Sequence, residues 1–249
     1  MSVALFRSYF GLSRETTYGA TGALGTRFIP VLSFSPGWKD EVEYIVDKGI
    51  RGVPSMDFAM YQGTRRTKGG YEHYFYPDNC GVFLKGIFGG ETVSGATAPF
   101  VHTFGSTDTP PSYTLFDYYG LSAGTSEREI LGAQLERVEF AYTRANGALT
   151  VKPSWVGVGS TGIATATASF TTVDPFRGWE AVMDIAGTTN TRLLEFTSVL
   201  SRSVDLIYGG SNTQAPNNRE TGPLEHTGKL VAYASTSLEF DRFLANTTG

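Results

Sequence analysis

Apolar and polar positions alternate with a period of two along much of this chain, and two stretches do so for long enough to predict hairpins. In RGVPSMDFAMYQG, Met56, Phe58 and Met60 alternate with Ser55, Asp57 and Ala59, the pattern of a half-buried strand. TRRTKGG then reads as a polar, Gly-ended connection. GGYEHYFYPDN reads as the partner strand, ended by Pro77-Asp78-Asn79. Residues 50 to 77 therefore predict one long hairpin. Further on, Val138, Phe140 and Tyr142 alternate against Arg137, Glu139 and Ala141. Asn146-Gly147 is the strongest turn signal of the chain, and LTVKPSWVGVG is the return strand. This second hairpin, about 134 to 158, echoes the first and suggests a loose internal duplication without a residue-level repeat.

The remaining segments are shorter. Residues 1 to 48 are mixed, and Pro30 and Pro36 argue against a long helix there. GVFLKGIFGG fits a short helix or a buried strand. VHTF and YTLFDYYG are strand-like runs around the turn-rich GSTDTPPS. Ser126 with Glu129 fits a capping box, which predicts a short helix or loop near 125 to 131. IATATASFTTVDPF, WEAVMDIAG, RLLEFTSVLSRSVDLIYGG and LVAYAST are β-rich. SNTQAPNNRETGP is a polar loop, and SLEFDRFLAN fits a short helix. No linker rich in Pro, Ser or charge divides the chain, so residues 1 to 249 are expected to form a single domain.

Composition narrows the class. The 249 residues suit one large all-β domain, and 30 Gly with 13 Tyr and 17 Phe favour strands separated by turns. A net charge of −4 argues against a DNA binder with a basic stripe, though not against a surface that DNA passes. Cys80 is the single cysteine, so no intramolecular disulfide is available. No apolar run approaches the roughly 18 residues of a membrane span, and the first residues lack a signal-peptide pattern. Both point to a protein made and assembled in the cytoplasm, with no membrane partner.

Candidate chemistry is thin. Ser106, Ser112, His102, Asp108 and Asp117 lie close in sequence, but there is no G-x-S-x-G elbow to expose a nucleophile. They read as ordinary polar positions on a strand, a turn and a strand. GVGSTG, residues 157 to 162, matches a dinucleotide fingerprint only formally, because no helical pattern follows it. Glu72, His73, Asp78 and Cys80 do not have compact zinc spacing. The Asn246-Thr247-Thr248 sequon has no secretory context. No cofactor and no enzymatic activity are expected. A β-rich chain with long hairpins and no catalytic constellation suggests binding or architecture.

The ordered series GLSRETTYGA, RFIPVLSF, IVDKGIRG, YEHYFYPDNCGVFLKGIFG, FVHTF and PSYTLFDYYG resembles the tail tube proteins of long-tailed bacteriophages. GAQLERVEFAYTRANGALTVKPSWVG looks like the second long hairpin of that family. LLEFTSVLSRSVDLIYGG and TGKLVAYASTSLEFD look like its closing section. The resemblance implies a mainly β fold, a β-sandwich or partial barrel with a short flanking helix. Its two long hairpins would join an inter-subunit β-barrel. It implies hexameric rings stacked into a tube around a tape-measure protein. Tail terminator and baseplate or tip proteins would sit at the tube ends, and DNA would pass through the lumen at genome ejection. Members of the family usually continue past the position matching Gly249, which implies a truncated chain or a short variant.

If the apolar alternation faces the subunit core, the opposite positions line the lumen: Ser55, Asp57, Glu72, Arg137, Glu139, Thr143, Thr150, Lys152 and Ser154. Three acids against two bases would make that strip slightly negative. TRRTKGG, GLSAGTSERE and the N-terminal arm are expected as inter-ring contacts. Competing readings are another ring or decoration protein of a virion, a carbohydrate-binding β-sandwich with exposed coplanar aromatics, and an esterase using His102.

Overall fold

The longest strand is the organiser of the fold. In the computed structural model β8 (Glu127–Thr143) is flanked along one edge by β10 (Gly159–Ile163) and then β9 (Thr150–Gly157). Its other edge carries β7 (Tyr113–Tyr118) and then β13 (Leu193–Ser201). Outward from β7 lie β1 (Tyr9–Arg14) and β2 (Leu24–Ile29). Outward from β9 lie β4 (Ala59–Tyr74) and β3 (Ser33–Asp47), and outward from β13 lies β16 (Glu225–Ala232). All these pairings are antiparallel. Three small hairpins complete the strands: β5 (Gly89–Ser94) with β6 (Val101–Ser106), β11 (Met183–Ile185) with β12 (Thr188–Asn190), and β14 (Val204–Ile207) with β15 (Asn218–Thr221). The structure describes residues 8–22, 24–50, 52, 59–97, 100–118, 127–144, 147–163, 168–185, 188–190, 193–210 and 213–233.

The protein is mainly β, sandwich-like, with one short helix and no closed barrel among the described residues. That helix, α1 (Cys80–Phe88), resolves the ambiguity over GVFLKGIFGG. It lays Phe83 and Ile87 onto a core of Phe10, Leu12, Tyr71, Tyr113, Leu115, Ile130, Leu135, Val138, Val151 and Trp155. Gly86 brings the helix close to the sheet, since a Cβ there would lie 3.3 Å from Leu135 Cδ2. The helix stops at Gly89, whose φ of +95° an L side chain tolerates poorly. Gly132 has φ +58° within β8, and beyond it the strand exchanges β7 for β13 as its neighbour. An irregular residue of this kind lets one strand serve two layers.

The second predicted hairpin is present as β8 and β9, and Gly147 at its turn has φ +67°. The first predicted hairpin needs correction. TRRTKGG is no connection but the middle of β4, one 16-residue strand, whose hairpin partner is β3. The helix or loop expected near 125 to 131 is also overturned, because β8 is already extended at Glu127. The capping-box residue Glu129 pairs with Phe116 and Thr161 in the sheet. VHTF and YTLFDY are strands, yet not each other's partners: β6 pairs β5, and β7 lies between β1 and β8. The segment 168–177, expected to be β-rich, contributes two isolated bridges, Phe28 to Phe170 and Ala148 to Arg177. Within the predicted polar loop, Asn218–Thr221 forms β15. SLEFDRFLAN lies outside the described residues.

Candidate functional site

Side chains of residues paired directly across antiparallel strands share a face. Arg137 pairs Ser154, Glu139 pairs Lys152 and Ala141 pairs Thr150, while Ser154 and Thr150 pair Gly70 and Tyr74 of β4. Parity along β4 and β8 adds Glu72 and Thr143. Seven of the nine sequence-derived lining candidates therefore lie on one face of the sheet: Glu72, Arg137, Glu139, Thr143, Thr150, Lys152 and Ser154. Ser55 and Asp57 lie outside the described residues. The opposite face carries Val138, Phe140, Tyr142, Val151 and Trp155, all buried. Lys152 and Arg137 are exposed, while Thr150 is buried and donates to the Ala141 carbonyl at 3.1 Å.

Charges on the polar face of β8 and β9 are paired. Arg137 meets Glu139 at 2.7 Å and Lys152 meets Glu72 at 3.5 Å. Sequence reasoning missed two further members: Glu136 meets Lys68 at 3.6 Å and accepts from Ser154 Oγ at 3.2 Å. The same face continues onto β3, where Arg66 holds Glu41 at 2.7 Å and keeps its carboxyl below the usual range. The acidic surplus expected here depended on Asp57; the described charges balance. The missed pairs were visible only as polar letters, because their partners lie on distant strands, Lys68 for Glu136 and Glu41, 25 residues away, for Arg66.

An ionic network anchored on one buried carboxylate ties the long hairpins to the body. Asp117 on β7 is fully buried and accepts from Arg128 Nη2 on β8 at 3.0 Å. Arg128 also reaches Asp40 on β3 at 3.6 Å. Asp40 in turn accepts from Thr67 on β4 and from Ser160 on β10 at 2.8 Å. Burial alone would raise the Asp40 carboxyl. The two hydroxyl donors, with Arg128 and Arg65, outweigh that effect and hold it below its ordinary value.

Beyond this network, among the described residues, the end of the β3–β4 hairpin is largely uncovered. Tyr44, Ile45, Met60 and Tyr61 are all more than half exposed. Met60, expected on a half-buried face, is thus corrected to the surface, because β4 pairs β9 only from Thr67 onward. Among the described residues β3 has one strand neighbour, β4, and β16 has one, β13.

The other candidates disperse. His102 on β6 stands 2.9 Å from Glu91, while Asp117 sits in the network above, so the serine-hydrolase constellation is not assembled. His73 is in the core and its neighbour Glu72 is on the polar face, so this pair does not converge on a metal. Of GVGSTG, Gly157 ends β9 and Gly159 opens β10. Trp155 is a core residue, Trp38 stacks on Phe10, and Trp179 is exposed. Of the expected inter-ring loops, TRRTKGG is strand, and GLSAGTS lies outside the described residues together with 1–7 of the N-terminal arm.

Long hairpins, a polar face of matched charges and open sheet edges define a structural β subunit that associates with its own kind. The chain belongs to a family described as phage tail tube protein, whose model matches residues 6–249. This is a structural family rather than an enzyme family, located in the virion tail, where its members self-assemble into the tube. A comparison with curated proteins gives no match.

Proposed function

We propose that this chain, residues 1 to 249 acting as a single domain, forms hexameric rings that stack into the phage tail tube. The polar face of the long hairpins lines the lumen, with Glu72, Arg137, Glu139, Thr143, Thr150, Lys152 and Ser154 on that face and Ser55 and Asp57 extending the strip. The lumen holds the tape-measure protein during assembly in the host cytoplasm and conducts DNA at ejection. Terminator and baseplate or tip proteins close the tube ends.

The observation that carries this reading is the pairing of charge on that face. A conduit for a polyanion has to avoid both tight binding and strong repulsion. Unpaired cations would neutralise phosphates and release counterions, giving a salt-dependent grip on DNA. Here each lysine or arginine of the strip already has a carboxylate within 4 Å. Electron microscopy of the purified, concentrated protein tests the reading. Six-fold rings or hollow tubes are expected. A particle that stays monomeric with tape-measure and initiator proteins present would end it, and a tube map with Val138 in the channel would reverse the lining assignment.

A further inference from the structure

The tube reading leaves open which edges of neighbouring copies meet, and strand parity answers that. Six strands run side by side in the order β16-β13-β8-β9-β4-β3. Each of the five steps between them is antiparallel. The two outermost strands therefore run in opposite directions. A rotation about a tube axis keeps every strand's sense relative to that axis. Setting β3 of one copy beside β16 of the next thus continues an antiparallel ladder without a break. An odd number of strands would force a parallel joint.

We propose that, within the assembly described above, β3 of one copy pairs antiparallel with β16 of its neighbour. Both strands are long enough, 15 and 8 residues, and among the described residues both have an open edge within the sheet. Both carry exposed apolar side chains that such a joint helps to cover: Tyr44 and Ile45 on β3, Leu230 on β16. Charge selects the register. Glu41 lies on the polar face across from Arg66, and Lys229 lies on the same face, 3.2 Å from Glu195. Setting Lys229 opposite Glu41 makes a row Arg66, Glu41, Lys229, Glu195 of alternating sign across the joint. The same register sets Glu43 opposite Thr227. A slip by four residues along one strand would separate that pair by about 13 Å.

Disulfide trapping tests this in the full chain. With Cys80→Ser as parent, Glu43→Cys and Thr227→Cys are combined in one chain, and Glu43→Cys and Val231→Cys in another. A disulfide needs Cα atoms about 4.4–6.8 Å apart, so only the first variant can close in the proposed register. After assembly and mild oxidation, the first variant is expected to run as a reducible ladder of covalent multimers, and the second as monomer. Mixing the two single-cysteine chains should yield dimers only, because the joint is heterologous. Assembled tubes that give no 43–227 ladder would overturn the edge pairing and leave the tube reading standing. A ladder at 43–231 would overturn the register. A parent that forms neither rings nor tubes removes both readings.

Discussion

His73 gives the subunit a measurable dependence on pH. It lies on β4 opposite Val151, fully buried, with ring centroids of Tyr71 and Phe83 at 5.5 and 4.8 Å. Its Nδ1 is 2.6 Å from the Tyr74 carbonyl, so that nitrogen carries the proton and donates. Nε2 has no partner. A second proton would place a charge with no acceptor in the core, and burial accordingly lowers the pKa to about 4. The unfolded chain has no such constraint and binds a proton near pH 6.5. Between these values the unfolded state holds more protons than the native state. Stability therefore falls as pH drops from about 6.5 towards 4, and recovers as pH rises. Over pH 7 to 5 the linkage relation gives a loss of about 2 kcal/mol, roughly twentyfold in the folding constant. The depressed carboxylates Asp40 and Glu41 contribute their own loss mainly below about pH 5, near their unfolded values, so this interval isolates the histidine. Urea denaturation of the unassembled subunit at both pH values measures the effect. His73→Phe keeps a ring in the site and should abolish most of the difference, whatever its own cost. Equal wild-type stability at pH 7 and 5, or an undiminished slope in the variant, would refute the assignment.

Three further outcomes follow from single contacts. Arg128→Met takes the 3.0 Å ion partner from fully buried Asp117 and should cost about 3 kcal/mol in the same denaturation assay. Gly132→Ala meets both a φ of +58° and a collision with the Val158 side chain, and should cost about 1–3 kcal/mol; Gly147→Ala, with open space around it, should cost less. Lys152→Ala removes an exposed 3.5 Å pair with Glu72 and should change subunit stability by no more than about 0.5 kcal/mol in that assay.

The β8–β9 hairpin was legible because its two signals agree. Val138, Phe140 and Tyr142 alternate cleanly, and Asn146-Gly147 marks the turn. The β3–β4 hairpin was misread for physical reasons that concern glycine and charge. Gly69 and Gly70 looked like turn formers. They sit mid-strand because neighbouring chains come too close for a Cβ: at Gly69 it would lie 2.6 Å from Trp38 Cε3, and at Gly70 it would collide with the Pro153 carbonyl. Arg66, Thr67 and Lys68 looked like solvated loop. Each has a partner across the sheet, namely Glu41, Asp40 and Glu136. The paired charges of the polar face were half legible, since face membership follows from alternation alone, whereas pairing requires the register.

Exposed apolar positions show where reading by alternation stops. Alternation states that one side of a strand will be covered, but not which molecule covers it. Val138 and Met60 both occupy apolar positions of alternating segments; the first is buried and the second is 65% exposed. They differ in where their strands stand in the sheet. Val138 lies where β8 has β9 on one edge and β13 on the other, beneath the core. Met60 lies on a two-stranded projection, which is marginal as an isolated unit in water. A projection that leaves Tyr44, Ile45, Met60 and Tyr61 more than half exposed presents apolar surface of the kind that marks contacts with other molecules. In a family that builds tubes from its own copies, part of the hydrophobic pattern describes the assembly, and the subunit alone satisfies only the rest.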